Sequence, residues 1–125
     1  MAYQYFNNNP SGKMTGDCVV RAVSLATDEN WQKTYIGLAL QGFLMSEILN
    51  ADSVWGAYLK NNGFIRHTIE NSKPDCYTIG DFAADHPEGV YVLGTGSHAV
   101  SVIQGTVFDA WDSSNECPIF YYSRD

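Results

Sequence analysis

Positive charge, metal-binding motifs and long apolar runs are what this chain has least of. Seven Lys and Arg stand against 14 Asp and Glu, a formal net charge of -7. A surface of that sign repels phosphate backbones and anionic headgroups, so neither nucleic-acid binding by counterion release nor docking on an anionic membrane is expected. No stretch approaches the roughly 20 apolar residues that span a bilayer. The opening segment MAYQYFNNNP has neither a basic region nor an apolar core, so it does not read as a secretory signal. Cysteine is sparse as well: Cys18, Cys76 and Cys117 form an odd, scattered set without a CxxC pair. A disulfide framework calls for an even, denser set, and the expectation is free thiols in a reducing cytoplasm, that of a bacterium or a phage-infected host. There is no HExxH, hence no local signature of a metal, and no cofactor is expected.

What is present is ordinary globular material. Apolar residues make up 45% of the 125 positions and charged ones 17%, which suits a chain that buries a core of its own and argues against disorder. Residues 1–125 read as a single domain, with no repeat, linker or low-complexity tract beyond the short NNNPSG, an irregular arm rich in turn formers. From Cys18 to Ala26 the apolar positions are Val19, Val20, Ala22, Val23, Leu25 and Ala26, interrupted only by Arg21 and Ser24, which share one face. A helix apolar on nearly all sides is a buried helix.

A second helix is predicted to start between Thr27 and Asn30, where capping residues cluster, with Trp31, Tyr35, Leu38 and Gly42 on one stripe. A third starts near Asp52 and ends at Gly63, and Thr78 caps a short one that Pro87 stops. FIRHTI (64 to 69) is strand-like. Beyond Pro87 come GVYVLG, SHAVSVI, TVFDAW and IFYY, short runs rich in β-branched and aromatic residues. Helices first and an antiparallel sheet afterwards is an α+β arrangement.

Gln104-Gly105 suits a two-residue hairpin turn. Counting outward from it, Ile103 faces Thr106 and Val102 faces Val107, so alternation makes His98 and Asp109 diagonal cross-strand neighbours. A carboxylate at that distance orients an imidazole. Asp112 falls on the other face unless a bulge switches it, and it stays the alternative to Asp109. Cys18, at a helix start, feels the positive end of the helix dipole, which favours thiolate. Taken alone, Cys18 is packing material and His98 a core histidine; together with Asp109 they make a nucleophile, a general acid–base and its orienting carboxylate. The Cys18 backbone N–H then serves as an oxyanion donor. Cys76 and Cys117 have no such partners in the sequence, and His67 and His86 read as surface residues. Asp17 reads as the helix N-cap, with Arg21 placed to pair with it at i, i+4.

Cysteine at the start of a buried helix, then SHAVSVI, a turn and DAW at 109 to 111, resembles the papain-like cysteine peptidase fold. The likeness is nearest to its compact phage-type members, in which NP…GDCVVRA and HAV…G…D.WDS stand together, and it spans Asn9 to Ser113. It implies a papain-like domain whose N-terminal buried helix and further helices pack on a C-terminal antiparallel sheet. It further implies a Cys18–His98–Asp109 triad, and a Trp111 that covers the His–Asp bond from water. The family's oxyanion glutamine, about six residues ahead of the nucleophile, is replaced here by Gly12. Asn9, from the irregular arm, is the preferred substitute over Asn8 and Lys13. The expected activity is hydrolysis of a peptide, isopeptide or related amide through a thioester, on a protein or peptide substrate. Acyl transfer or deamidation by the same triad, and a non-catalytic binding module such as a phage counter-defence protein, are the alternatives. The sequence does not address oligomeric state.

Overall fold

The computed structural model describes residues 2–72 and 75–124. Four helices and six strands are found among them. Strand β1 (Ala2–Tyr5) is followed by helices α1 (Cys18–Thr27), α2 (Trp31–Met45) and α3 (Asp52–Asn61). Strand β2 (Ile65–Thr68), helix α4 (Ile79–Asp85) and strands β3 (Val90–Gly94), β4 (Ala99–Ile103), β5 (Thr106–Asp109) and β6 (Phe120–Arg124) complete the order. The strands form one sheet in the order β1-β5-β4-β3-β6-β2. The molecule is α+β, as expected.

The local signals explain most element boundaries. Asn30 accepts the Lys33 N–H and caps α2. Thr78 and Asp81 form a reciprocal capping box on α4. Gly63 follows α3 with φ +87, a conformation that costs glycine nothing. Gln104 and Gly105 both have positive φ, which gives the β4–β5 hairpin the twist its strands need. The predicted register holds: Ile103 opposes Thr106 and Val102 opposes Val107.

One expectation needs correction. The sheet is mixed rather than antiparallel, because β1 lies parallel to β5, with Ala2 opposite Thr106 and Tyr5 opposite Asp109. A parallel partner a whole chain away leaves no turn or crossover signal next to it in the sequence.

The sheet carries a core on each face. On one, α1 to α3 bring Val20, Val23, Leu38, Trp55 and Leu59 against Val92, Ala99, Phe120 and Tyr122. On the other, α4 brings Ile79, Phe82 and Ala83 against Leu93, Val100, Val102 and Val107. The Phe120 ring lies over Gly94, its cross-strand partner, where a Cβ would come within 2.2 Å of it. Helix α1 is buried on nearly all sides, Arg21 and Ser24 included, with Cys18, Leu25 and Thr27 half-buried. Of the stripe expected on α2, Leu38 and Gly42 are buried, whereas Tyr35 is exposed and stacks on Trp31. The opposite side of α2 presents Ile36, Leu40, Phe43 and Leu44 to solvent.

The cysteines also depart from expectation. Cys76 and Cys117 form a disulfide, their Cα atoms 5.9 Å apart, and Cys18 alone is free. Two thiols 41 positions apart carry no mark of their pairing in sequence; the fold brings them together by laying the chain before α4 against the loop before β6. Disulfides persist in oxidising surroundings and are rare in a reducing cytosol, so the cytoplasmic expectation loses the support it drew from free thiols. Among the described residues no helix is long and apolar enough to cross a membrane.

Closing a loop of this length restricts the unfolded chain. Cys76→Ser with Cys117→Ser is expected to lower stability by about 2–4 kcal/mol, read as a shift in urea midpoint relative to the oxidised parent.

Candidate active site

Three elements converge at one end of the sheet. Cys18 is the first residue of α1. His98 immediately precedes β4, at the close of a tight loop in which Thr95 N–H bonds to the His98 carbonyl (3.0 Å). Asp109 ends β5. Because β4 and β5 are hairpin partners, His98 and Asp109 meet across the strand ends, with His98 Nε2 2.6 Å from Asp109 Oδ2. That contact leaves Nδ1 as the ring nitrogen free to exchange a proton with Cys18, which lies close enough for each group to shift the pKa of the other. Trp111 sits beside the imidazole, ring centroids 4.8 Å apart.

Asp109 is held on every side. Its Oδ2 also accepts from the Ser113 hydroxyl (2.7 Å), and its Oδ1 from the Ala110 N–H (2.8 Å) and the Arg21 guanidinium (3.5 Å). Its backbone carbonyl accepts from the Tyr3 hydroxyl (3.0 Å) and the Phe6 N–H (2.8 Å). A buried carboxylate with this many donors stays ionised and fixed in position.

Arg21 joins Asp109 to the start of α1. Its guanidinium pairs with Asp17 one turn earlier as well as with Asp109, and all three side chains are buried. The ion pair with Asp17 was expected; the reach to Asp109 was not. Asp17 stands at the N-cap position, but its side chain makes no cap bond. Its carboxylate is drawn away by Arg21, Trp31 Nε1 (2.9 Å) and Asn9 Nδ2 (3.1 Å).

Asn9 therefore does not occupy the expected oxyanion position. Its amide donates to Asp17, its Oδ1 accepts from the Ser11 and Lys13 backbone, and it lines a neighbouring cavity instead. Asn8 donates to Ser24, and Lys13 lines the same neighbouring cavity as Asn9. Asp112 is exposed and accepts from the Ser114 N–H (3.1 Å) and the Ser114 hydroxyl, so it shapes the loop rather than orienting His98. No bulge is needed to settle the rivalry between Asp109 and Asp112. The Cys18 N–H, at the first position of α1, has no acceptor within the helix. His67 pairs with Ser123 and stacks on Tyr121, and His86 stacks on Phe82, both away from the cluster.

The ionisation of the cluster follows from these contacts. Burial opposes charge on Cys18, but the His98 hydrogen bond, a bond from the Ala99 backbone and the positive charges of His98 and Arg21 outweigh it, so its pKa lies below that of an ordinary thiol. Burial likewise opposes charge on His98, and the hydrogen bonds to Asp109 and Cys18 override it, raising its pKa to about 9. The carboxyls of Asp17 and Asp109 are pushed up by burial and pulled down further by their donors, ending below the usual range. Both shifts act in the direction of a thiolate–imidazolium pair.

Cys18 and His98 open on a cavity of about 400 Å³, with Met14, Gly16, Asn50, Asp52, Trp55 and Trp111 among its walls. Among the described residues no group of three or more His, Cys, Asp and Glu is arranged to hold a metal ion. Sequence reasoning missed Ser113 as a partner of Asp109; a hydroxyl four residues past a carboxylate in an irregular loop gives no signal of where it turns. Comparison with family models, with curated proteins and with solved structures finds no match to this chain.

Two measurements check the cluster. A carboxyl whose folded pKa lies below its unfolded value contributes stability above the unfolded pKa, and loses it as pH falls through the folded one. Thermal stability should therefore drop as pH is taken below about 4, with a smaller drop in Asp17→Asn. Replacing Arg21 with Met leaves two buried carboxylates without their shared cation. That change is expected to cost about 3–5 kcal/mol in urea denaturation.

Proposed function

We propose that the protein is a cysteine hydrolase that cleaves a peptide, isopeptide or related amide on a papain-like scaffold. The observation that carries the reading is that Cys18 and His98 line one cavity while His98 Nε2 is held 2.6 Å from Asp109, which leaves Nδ1 free for the thiol. The order Cys, His, Asp along the chain and the Trp two residues after the Asp support the resemblance drawn from sequence.

In this mechanism the Cys18 thiolate attacks the substrate carbonyl, forming an Sγ–C bond while the oxygen takes up the electron pair beside the Cys18 N–H. The His98 imidazolium then gives its Nδ1 proton to the amide nitrogen, the C–N bond breaks, and an amine leaves a thioester behind. Water attacks the thioester, its proton passes to His98, and the carboxylic acid departs as the thiolate is restored. Asp109 holds one tautomer and one ring orientation throughout and stabilises the imidazolium. The same thioester taken by an amine gives acyl transfer, and by water on a glutamine side chain gives deamidation. Product mass on peptide and glutamine substrates separates them.

A second reading has its own observation. The exposed apolar side of α2, Ile36, Leu40, Phe43 and Leu44, suits a binding module that occludes a partner without turnover. In that case binding survives Cys18→Ala.

The pH dependence is the direct test. Cys18 should react with iodoacetamide at pH values well below the ordinary thiol pKa of about 8.5, and His98→Ala should remove that advantage. Turnover should fall again as pH rises through about 9, where His98 ceases to be a proton donor. Cys18→Ala and His98→Ala should abolish turnover, and Asp109→Ala should reduce it, because the imidazole loses the carboxylate that orients it. Full turnover in Cys18→Ala would overturn the hydrolase reading.

A further inference from the structure

Helix α2 turns Thr34, Leu38 and Gly42 inward, and all three are buried. Its opposite face carries Lys33, Ile36, Leu40, Phe43 and Leu44, recurring at i, i+3, i+7, i+10 and i+11. That is the spacing of a heptad seam. Each of the four apolar residues is at least 57% exposed. A continuous apolar stripe of this kind on a protein surface marks a contact. The stripe is also free of negative charge. None of the 14 acidic residues falls on α2, whose one charged side chain is Lys33. On a chain of net charge -7, such a face is where a second copy can approach with least repulsion.

The seam is complementary to itself. A two-fold axis at Leu40 that sets two α2 helices antiparallel places Leu40 on Leu40 and Ile36 opposite Leu44. Lys33 and Glu47 stand equally far from Leu40 on either side, Lys33 exposed on α2 and Glu47 exposed just past its C-cap, Ser46. Antiparallel pairing therefore brings each Lys33 to the Glu47 of the other copy. Parallel pairing would set like charges together at both ends. Lys33 also pairs with Glu29 at 3.1 Å. That pair lies at the surface, where it is worth little, and an ammonium has donors to spare for a second carboxylate.

We propose that the exposed face of α2 is a dimer interface, through which two copies of this chain pair antiparallel about Leu40. The apolar side chains of the two faces together remove roughly 1,000 Å² from water, the scale of a specific but modest interface. Such a dimer dissociates at about micromolar concentrations. No residue of α2 lines the cavity of Cys18 and His98, so the pairing stands apart from the hydrolase reading.

Sedimentation equilibrium of the full chain, run from about 1 to about 300 µM, tests this. The mass should climb from 13.9 kDa toward twice that value. Leu40→Glu and Leu40→Lys each put like charges on the axis, and each should stay at 13.9 kDa throughout. An equimolar mixture of the two should dimerise again, because the axis then joins opposite charges. Lys33→Glu should raise the dissociation constant about tenfold or more, and Glu47→Lys in the same chain should restore it. All three positions are exposed, and urea denaturation at the lowest concentration checks that each variant folds as the parent does. A parent that stays at 13.9 kDa over the whole range would overturn the proposal and leave the face to a different protein. A dimer that Leu40→Lys does not weaken would overturn α2 as its interface. A mixture that stays monomeric, or a double variant no tighter than Lys33→Glu alone, would overturn the antiparallel pairing about Leu40.

Discussion

A guanidinium held between two buried carboxylates sets the geometry of this molecule. Arg21 is 5% exposed and pairs with Asp17 at the start of its own helix and with Asp109 at the end of β5. Removing these charges from water is expensive, and mutual attraction offsets the cost only where every remaining donor and acceptor is matched. Here they are matched by Asn9, Trp31, Ser113, Ala110 and His98. A half-assembled version of this network would be worse than none. Sliding α1 by one turn against the sheet would strand the cation, so the network fixes the register of the helix that carries Cys18 against the strand that carries Asp109.

The same cation resolves an apparent conflict in the sequence. A carboxylate one residue before a nucleophilic cysteine opposes thiolate formation, and Asp17 stands at that place. With its charge matched by Arg21, and its oxygens turned to Trp31 and Asn9, Asp17 no longer acts as a free negative neighbour. Arg21 itself adds to the positive field at the thiol. What remains to decide the ionisation of Cys18 is the imidazole, the Ala99 backbone and the end of α1.

Features whose cause is local were legible in the sequence. The caps Asn30 and Thr78, Gly63 after α3 and the Gln104-Gly105 turn each act on their immediate neighbours, and each is where the residues indicate. The His98–Asp109 contact was legible because a tight hairpin converts counting into geometry. Long-range partners were not. Periodicity reports that a residue is buried and is silent on what covers it. Nothing near Ala2–Tyr5 announces a parallel neighbour at Thr106–Asp109, and nothing near Cys76 points to Cys117. Asn9 illustrates the same limit from the other side: the arm was correctly read as irregular, but nothing in its sequence said that its amide would go to Asp17.

The pairing of β1 with β5 has a consequence for the order of events during synthesis. Tyr3 and Phe6, which hold the Asp109 carbonyl, are made before it, and their partner follows 106 positions after Tyr3. β6, the last strand described, lies between β3 and β2 inside the sheet rather than at its edge. β1 cannot pair until β5 has been made, and β2 lacks its partner until β6 follows, so the sheet is completed only after β6 has emerged. For most of its time as a nascent chain Cys18 is an ordinary thiol, without imidazole, guanidinium or formed helix beside it. The groups that lower its pKa meet only once β4 lies beside α1.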